Sequence, residues 1–185
     1  MNKYIFTALF LLLAGTGFAN HIKGGFFTYK YIGESNGRLR YNVTLTVYMG
    51  CNPNPGQLNQ NINFSIYDAG TRQLVRDEPV NITNQYDLFK SSDEECITGD
   101  QRGCYYTIVV YQKDIELNPN TAGYYITYQR CCRIANVDNL VNSSTIGNSY
   151  LVNIPGSSVS PEAPRNNSAT FLVNDTAVVC SNSYF

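Results

Sequence analysis

Leu39-Arg40-Tyr41-Asn42-Val43-Thr44-Leu45-Thr46-Val47-Tyr48-Met49 is the stretch that decides the fold. Leu39, Tyr41, Val43, Leu45, Val47 and Met49 share one parity; Arg40, Asn42, Thr44, Thr46 and Tyr48 share the other. A strand sends successive side chains to opposite faces, so this alternation predicts a strand with one face in a core and one toward water.

Working outward, similar runs recur at Phe26–Ile32, Ile62–Tyr67, Gln73–Arg76, Tyr105–Tyr111, Tyr124–Cys132, Tyr150–Ile154, Thr170–Val173 and Thr176–Val179. Tyr, Thr, Val and Ile fill them, residues that suit a pleated surface. Turn signals stand between the runs: Glu34-Ser35-Asn36-Gly37, Asn52-Pro53-Asn54-Pro55-Gly56, Asp68-Ala69-Gly70, Asn118-Pro119-Asn120 and the Ser/Pro-rich segment 155–164. About nine strands so separated predict two packed antiparallel sheets, an all-β, immunoglobulin-like β-sandwich.

The compartment is read from the first residues. Lys3 supplies a positive start, Ile5 to Ala14 is an apolar run, and Gly17-Phe18-Ala19 ends in small residues, which together make a secretory signal peptide over 1–19. The apolar run is about half the roughly 20 residues that a bilayer-spanning helix needs, and no other stretch of the chain is long enough to span a membrane. Residues 20–185 then form a single domain. With 13 Lys and Arg against 14 Asp and Glu, nothing steers the protein to nucleic acid or to anionic lipid.

All six cysteines, Cys51, Cys96, Cys104, Cys131, Cys132 and Cys180, lie in the exported part. An even number in an oxidising compartment predicts disulfides. Sequence does not choose among the pairings, but neighbours on a strand leave by opposite faces, so Cys131 and Cys132 seek different partners. The pairing expected here is Cys96–Cys104, with Cys131 and Cys132 dividing Cys51 and Cys180 between them. Zinc is disfavoured, since the chain has no CxxC pair and only one histidine. No cofactor is expected.

Several landmarks taken together carry a family likeness: Asn20-His21-Ile22-Lys23-Gly24-Gly25, Tyr48-Met49-Gly50-Cys51, Cys131-Cys132-Arg133, and Asn167-Ser168 ahead of Phe171. Their order and spacing resemble the N-terminal module of large secreted surface proteins of the Bacteroidetes, the gliding-motility-associated, PKD-domain-containing, adhesin-like class. The chain departs from that pattern with Asn20 in place of Ser, Gly50 before Cys51, Ile134 where Asn is usual and Ala169 where Pro is common. The resemblance implies an extracellular cell-surface location, a β-sandwich, and a role in adhesion or matrix assembly through a glycan or a surface protein. It supplies no ligand.

The candidate sites follow from chemistry. His21 is the only histidine, so a hydrolytic triad would have to use it, and the chain reads as non-catalytic. The alternative is a secreted carbohydrate-active protein, a carbohydrate-binding module or a glycosidase. Asp114 and Glu116, two apart on one strand end, are the carboxylate pair a glycosidase would need. Asp93, Glu94, Glu95 and Asp100 gather oxygen ligands that suit calcium. With 15 Tyr and no Trp, aromatic rings must emerge on a sheet face. Tyr105, Tyr111 and Tyr125 are the ligand-contact candidates, with Arg130 and Arg133 as a carboxylate clamp.

Overall fold

The computed structural model of the chain describes residues 22–53, 58–89, 103–131 and 140–170. Among these, seven strands run in chain order: β1 (Ile22–Ser35), β2 (Arg38–Met49), β3 (Asn61–Asp68), β4 (Leu74–Phe89), β5 (Cys104–Leu117), β6 (Gly123–Arg130) and β7 (Asn148–Pro155). Two short 3₁₀ turns, Ser143–Thr145 and Ala163–Arg165, are the helical content described. Every pairing is antiparallel, in the spatial order β1-β2-β5-β4-β3-β6-β7.

The alternation in β2 is realised residue for residue, with Leu39, Tyr41, Val43, Leu45, Val47 and Met49 all buried and the intervening side chains partly or wholly exposed. The Asn36-Gly37 pair joins β1 to β2 with positive φ at both residues, 51° and 72°. Asn and Gly tolerate that conformation, and its twist matches the flanking strands.

One strand organises the whole. Residues Leu74 to Asn81 of β4 pair with β3, and residues Ile82 to Phe89 pair with β5. The register breaks between Ile82 and Asn84. There the side chain of Thr83 stands in for a ladder partner, its Oγ1 accepting from the Gln112 N–H at 2.9 Å. The sheet therefore turns a corner within β4 and curls until the two outer strands, β1 and β7, touch without a ladder between them. The result is close to a barrel. The all-β, antiparallel expectation holds, and the first seven expected runs are each a strand here, the Gln73–Arg76 run being the start of the sixteen-residue β4. Thr170–Val173 and Thr176–Val179 reach or lie beyond the edge of the described residues.

The core is lined by Tyr41, Val43, Leu45, Phe64, Ile66, Val109, Ile115 and Ile126, all essentially inaccessible to water. Tyr41 is packed edge-on by Tyr29 and Tyr31, with centroids 5.9 and 5.8 Å away. Its hydroxyl donates to the Pro164 carbonyl at 2.6 Å, which satisfies the polar tip of a buried ring.

Cys51 bonds to Cys104, which corrects both the expected Cys96–Cys104 pairing and the assignment of Cys51 to Cys131 or Cys132. The cause lies in register: β2 and β5 pair up to Met49–Thr107, so the next residues of the two strands meet at the ladder's end. Cys131 is also disulfide-bonded. Cys96, Cys132 and Cys180 lie outside the described residues.

Candidate functional site

β3 and β6 pair only through Ser65–Thr127, Ile66–Ile126, Tyr67–Tyr125 and Asp68–Tyr124. Beyond Ser65 they part, and a polar slot opens between them. Its volume is about 370 Å³, and Asn61, Asn63, Ser65, Thr127, Gln129 and Arg130 stand among its walls. Odd-numbered side chains of both strands face outward here, since Ile62, Phe64 and Ile66 on β3 and Tyr124, Ile126 and Tyr128 on β6 are buried.

The backbone at the slot is as distinctive as the side chains. Ile82 N–H donates to Gln60 O at 3.1 Å, and with the Asn61–Asn81 register this assigns the even-numbered residues of β3 to β4. Odd-numbered residues of β3 therefore aim their N–H and C=O groups at β6. Ala69 N–H donating to Gly123 O at 3.0 Å gives the same parity to β6. Asn63 and Gln129 would face each other if the ladder continued, yet it stops at Ser65–Thr127. Pro79 fits this scheme: it lies opposite Asn63 on β4, where no N–H toward β3 is required, and its carbonyl instead accepts from Lys113 Nζ at 2.8 Å.

Below the slot two tyrosines stand side by side on the same outer face. Tyr67 and Tyr125 are cross-strand partners, and Asn153 of β7 follows Tyr125 in the same row. Both rings are half-buried. Neither hydroxyl forms a hydrogen bond among the described residues. The next row carries Ser65, Thr127 and Leu151, the last 59 % exposed. Aromatic faces, amides and hydroxyls thus occupy one contiguous surface.

Behind the slot, at the barrel end, Asn59 holds the strands' inner side. Tyr111 Oη donates to the Asn59 carbonyl at 2.7 Å, and Asn59 Nδ2 donates to Tyr128 Oη at 3.3 Å. Burial pushes the Tyr111 hydroxyl up to about 12, with a smaller opposing pull from Arg130. Tyr128 stacks on Tyr150, with centroids 6.3 Å apart.

The predicted contact residues are not gathered in one place. Tyr111 is 3 % exposed and belongs to the core, a correction to its reading as a ligand contact: on β5 its parity is the inward one. Tyr105 lies at the disulfide end of β5, its ring stacked at 6.1 Å on Tyr106. Arg130 lines the slot and Tyr125 lies just below it, both on β6, which β4 and β3 separate from β5 in the sheet order. Arg133 and the calcium candidates Asp93, Glu94, Glu95 and Asp100 lie outside the described residues, as does His21. Asp114 and Glu116 face water beside Arg40, which approaches them at 3.8 Å, and Arg38 lies 3.9 Å from Glu116. Their side chains are about half exposed, the arrangement of a solvated charge ladder.

Asn59, Asn61, Asn63 and Tyr67 were not among the sequence candidates. Their signal was present, since three amides recur at every second position of one run, where a half-buried strand places its water-facing residues. Comparison with protein-family models, with curated proteins and with solved structures finds no match for the chain.

Proposed function

We propose that this protein is a secreted, non-catalytic cell-surface module that serves adhesion or matrix assembly by contacting glycan, of the Bacteroidetes gliding-motility-associated class whose landmarks it resembles. In that reading its fold is an immunoglobulin-like sandwich whose two sheets share β4. The disulfides support an oxidising, extracellular destination. Among the described residues no helix is long and apolar enough to cross a membrane.

The observation that carries the glycan reading is the outer face of β3 and β6. Tyr67 and Tyr125 offer ring faces whose hydroxyls have no hydrogen-bond partner among the described residues, while Asn, Gln, Ser and Thr side chains beside them donate and accept in several directions. A sugar presents apolar C–H faces and a rim of hydroxyls, which is the complement of that surface.

The test is a glycan array probed with the oxidised protein and with Tyr125→Ala, together with adhesion of cells lacking the protein. Losing an aromatic contact weakens binding by about tenfold, with the variant still folded, at the cost of a cross-strand pair of roughly 0.2–1 kcal/mol. Glycan binding that survives Tyr67→Ala and Tyr125→Ala undiminished, or adhesion and surface assembly unaffected by deletion, would overturn the proposal. Turnover of a bound sugar would favour a carbohydrate-active enzyme instead.

A further inference from the structure

We infer that the slot between β3 and β6 is a subsite for an N-acetylated sugar, whose acetamido group completes the interrupted ladder at Asn63 and Gln129. The inference rests on the glycan reading above and names the class of sugar for it.

The argument starts from backbone parity. Asn63 and Gln129 direct an N–H and a C=O into the slot, and among the described residues no strand pairs with them there. Strand edges left open in this way are templates for a further amide. Most sugar substituents are hydroxyls, which any polar wall accommodates. An acetamido group is different, because its trans amide points the N–H and the C=O in opposite directions, so one group can bridge the two walls, donating to an open carbonyl on one strand and accepting from an open N–H on the other. A volume of about 370 Å³ lies at the small end of the range for small-molecule sites, roughly 300–1,000 Å³, and suits a sugar unit with its substituent.

The surrounding side chains favour a sugar over an extended peptide. Strand addition gains specificity from pockets for alternate side chains. Here the outward walls are Asn61, Asn63, Ser65, Thr127 and Gln129, which bind hydroxyls and offer no apolar pocket. Two of them are already oriented: Asn61 Nδ2 donates to Asn81 Oδ1 at 2.8 Å, and Ser65 Oγ donates to Asp77 Oδ1 at 2.6 Å. Fixed donors and acceptors lower the ordering cost on binding. Tyr67 lines the slot's end, so a unit held by its acetamido group brings the following sugar over the Tyr67–Tyr125 pair.

The experiment uses the full oxidised chain, isotope-labelled, with amide signals followed during titration by three trisaccharides of one linkage: N-acetylglucosamine, its de-N-acetylated form, and glucose. The N-acetylated sugar is expected to bind at least about tenfold tighter than the other two, the equivalent of one good hydrogen-bonded pair. In the free protein the Asn63 and Gln129 amides should exchange with solvent faster than those of Ser65 and Thr127, and slow down on binding. Equal affinity for all three sugars, with binding still lost in Tyr125→Ala, would overturn the acetamido assignment and leave the glycan module standing. Slow exchange of both amides in the free protein, or a short extended peptide protecting them where no sugar does, would overturn it as well. Absence of binding by any sugar, on the array and in the titration, would remove both readings.

Discussion

At the residue scale, the landmarks behind the family likeness have structural duties. Gly25 is the clearest. A Cβ at that position would lie 2.5 Å from the Thr46 carbonyl oxygen of β2 and 3.1 Å from the Tyr150 ring of β7, so the missing side chain lets β1 lie close to both neighbours. Gly25→Ala forces backbone apart where strands meet and is expected to cost about 1–3 kcal/mol, read from urea unfolding with Gly24→Ala as control, because nothing lies within 4 Å of a Cβ there. Equal stability of the two variants would contradict this account. Glu78 gives a pH prediction. Burial alone would raise its carboxyl pKa, but hydrogen bonds and charge from Lys113 at 2.9 Å and Arg76 at 2.6 Å outweigh it and hold the group below its ordinary value. A depressed folded pKa stabilises above the unfolded value, about 4.3, and that contribution is lost as pH falls through the folded one. Stability should therefore decline below about pH 5, and Glu78→Gln should flatten that acid limb in melts taken across pH. Neither role was legible in the sequence, since Gly25 acts through Thr46 and Tyr150, and Glu78 through Lys113 on a strand that pairs only after the corner in β4.

At the scale of elements, the edge of β1 shows a duty that the sequence does not state. Asn167 and Ser168 lie along that edge: Tyr29 N–H donates to Ser168 Oγ at 2.9 Å, Ser168 N–H donates to Tyr29 O at 3.0 Å, and Tyr31 N–H donates to Asn167 Oδ1 at 2.8 Å. Side-chain oxygens thus occupy donors that would otherwise recruit a foreign strand. Replacing both residues by Ala removes bonds worth about 1 kcal/mol each. The Tyr29 and Tyr31 amides should then exchange faster, and the variant should associate at high concentration by light scattering; unchanged exchange at both amides would refute the capping role. Periodicity made β2 visible because one face is buried and the other wet along its full length. It hid β4, where most residues of both parities are exposed or half-exposed and only Val80 is buried. An alternation argument needs a contrast between faces, and β4 has almost none. The slot escaped notice for a related reason, since a gap between strands is a property of two segments some 60 residues apart.

For the whole molecule, the all-β character and the disulfide bonding were legible from composition, turns and cysteine count, while the cysteine partners and the near-closure were not. Those depend on register, which is fixed only when all strands are assembled. β4 is a member of both halves of the sheet, so neither half has a complete margin without it. Unfolding is therefore expected as one transition, with tyrosine fluorescence and far-ultraviolet circular dichroism coinciding across a urea series; separated midpoints would show that the halves fold apart. The shared strand also governs where the chain accepts foreign sequence. Added loops at Gly70, in the turn between β3 and β4, should leave folding intact. Insertions near Thr83 should abolish it, because the lengthened segment would have to satisfy two neighbours whose spacing it no longer matches.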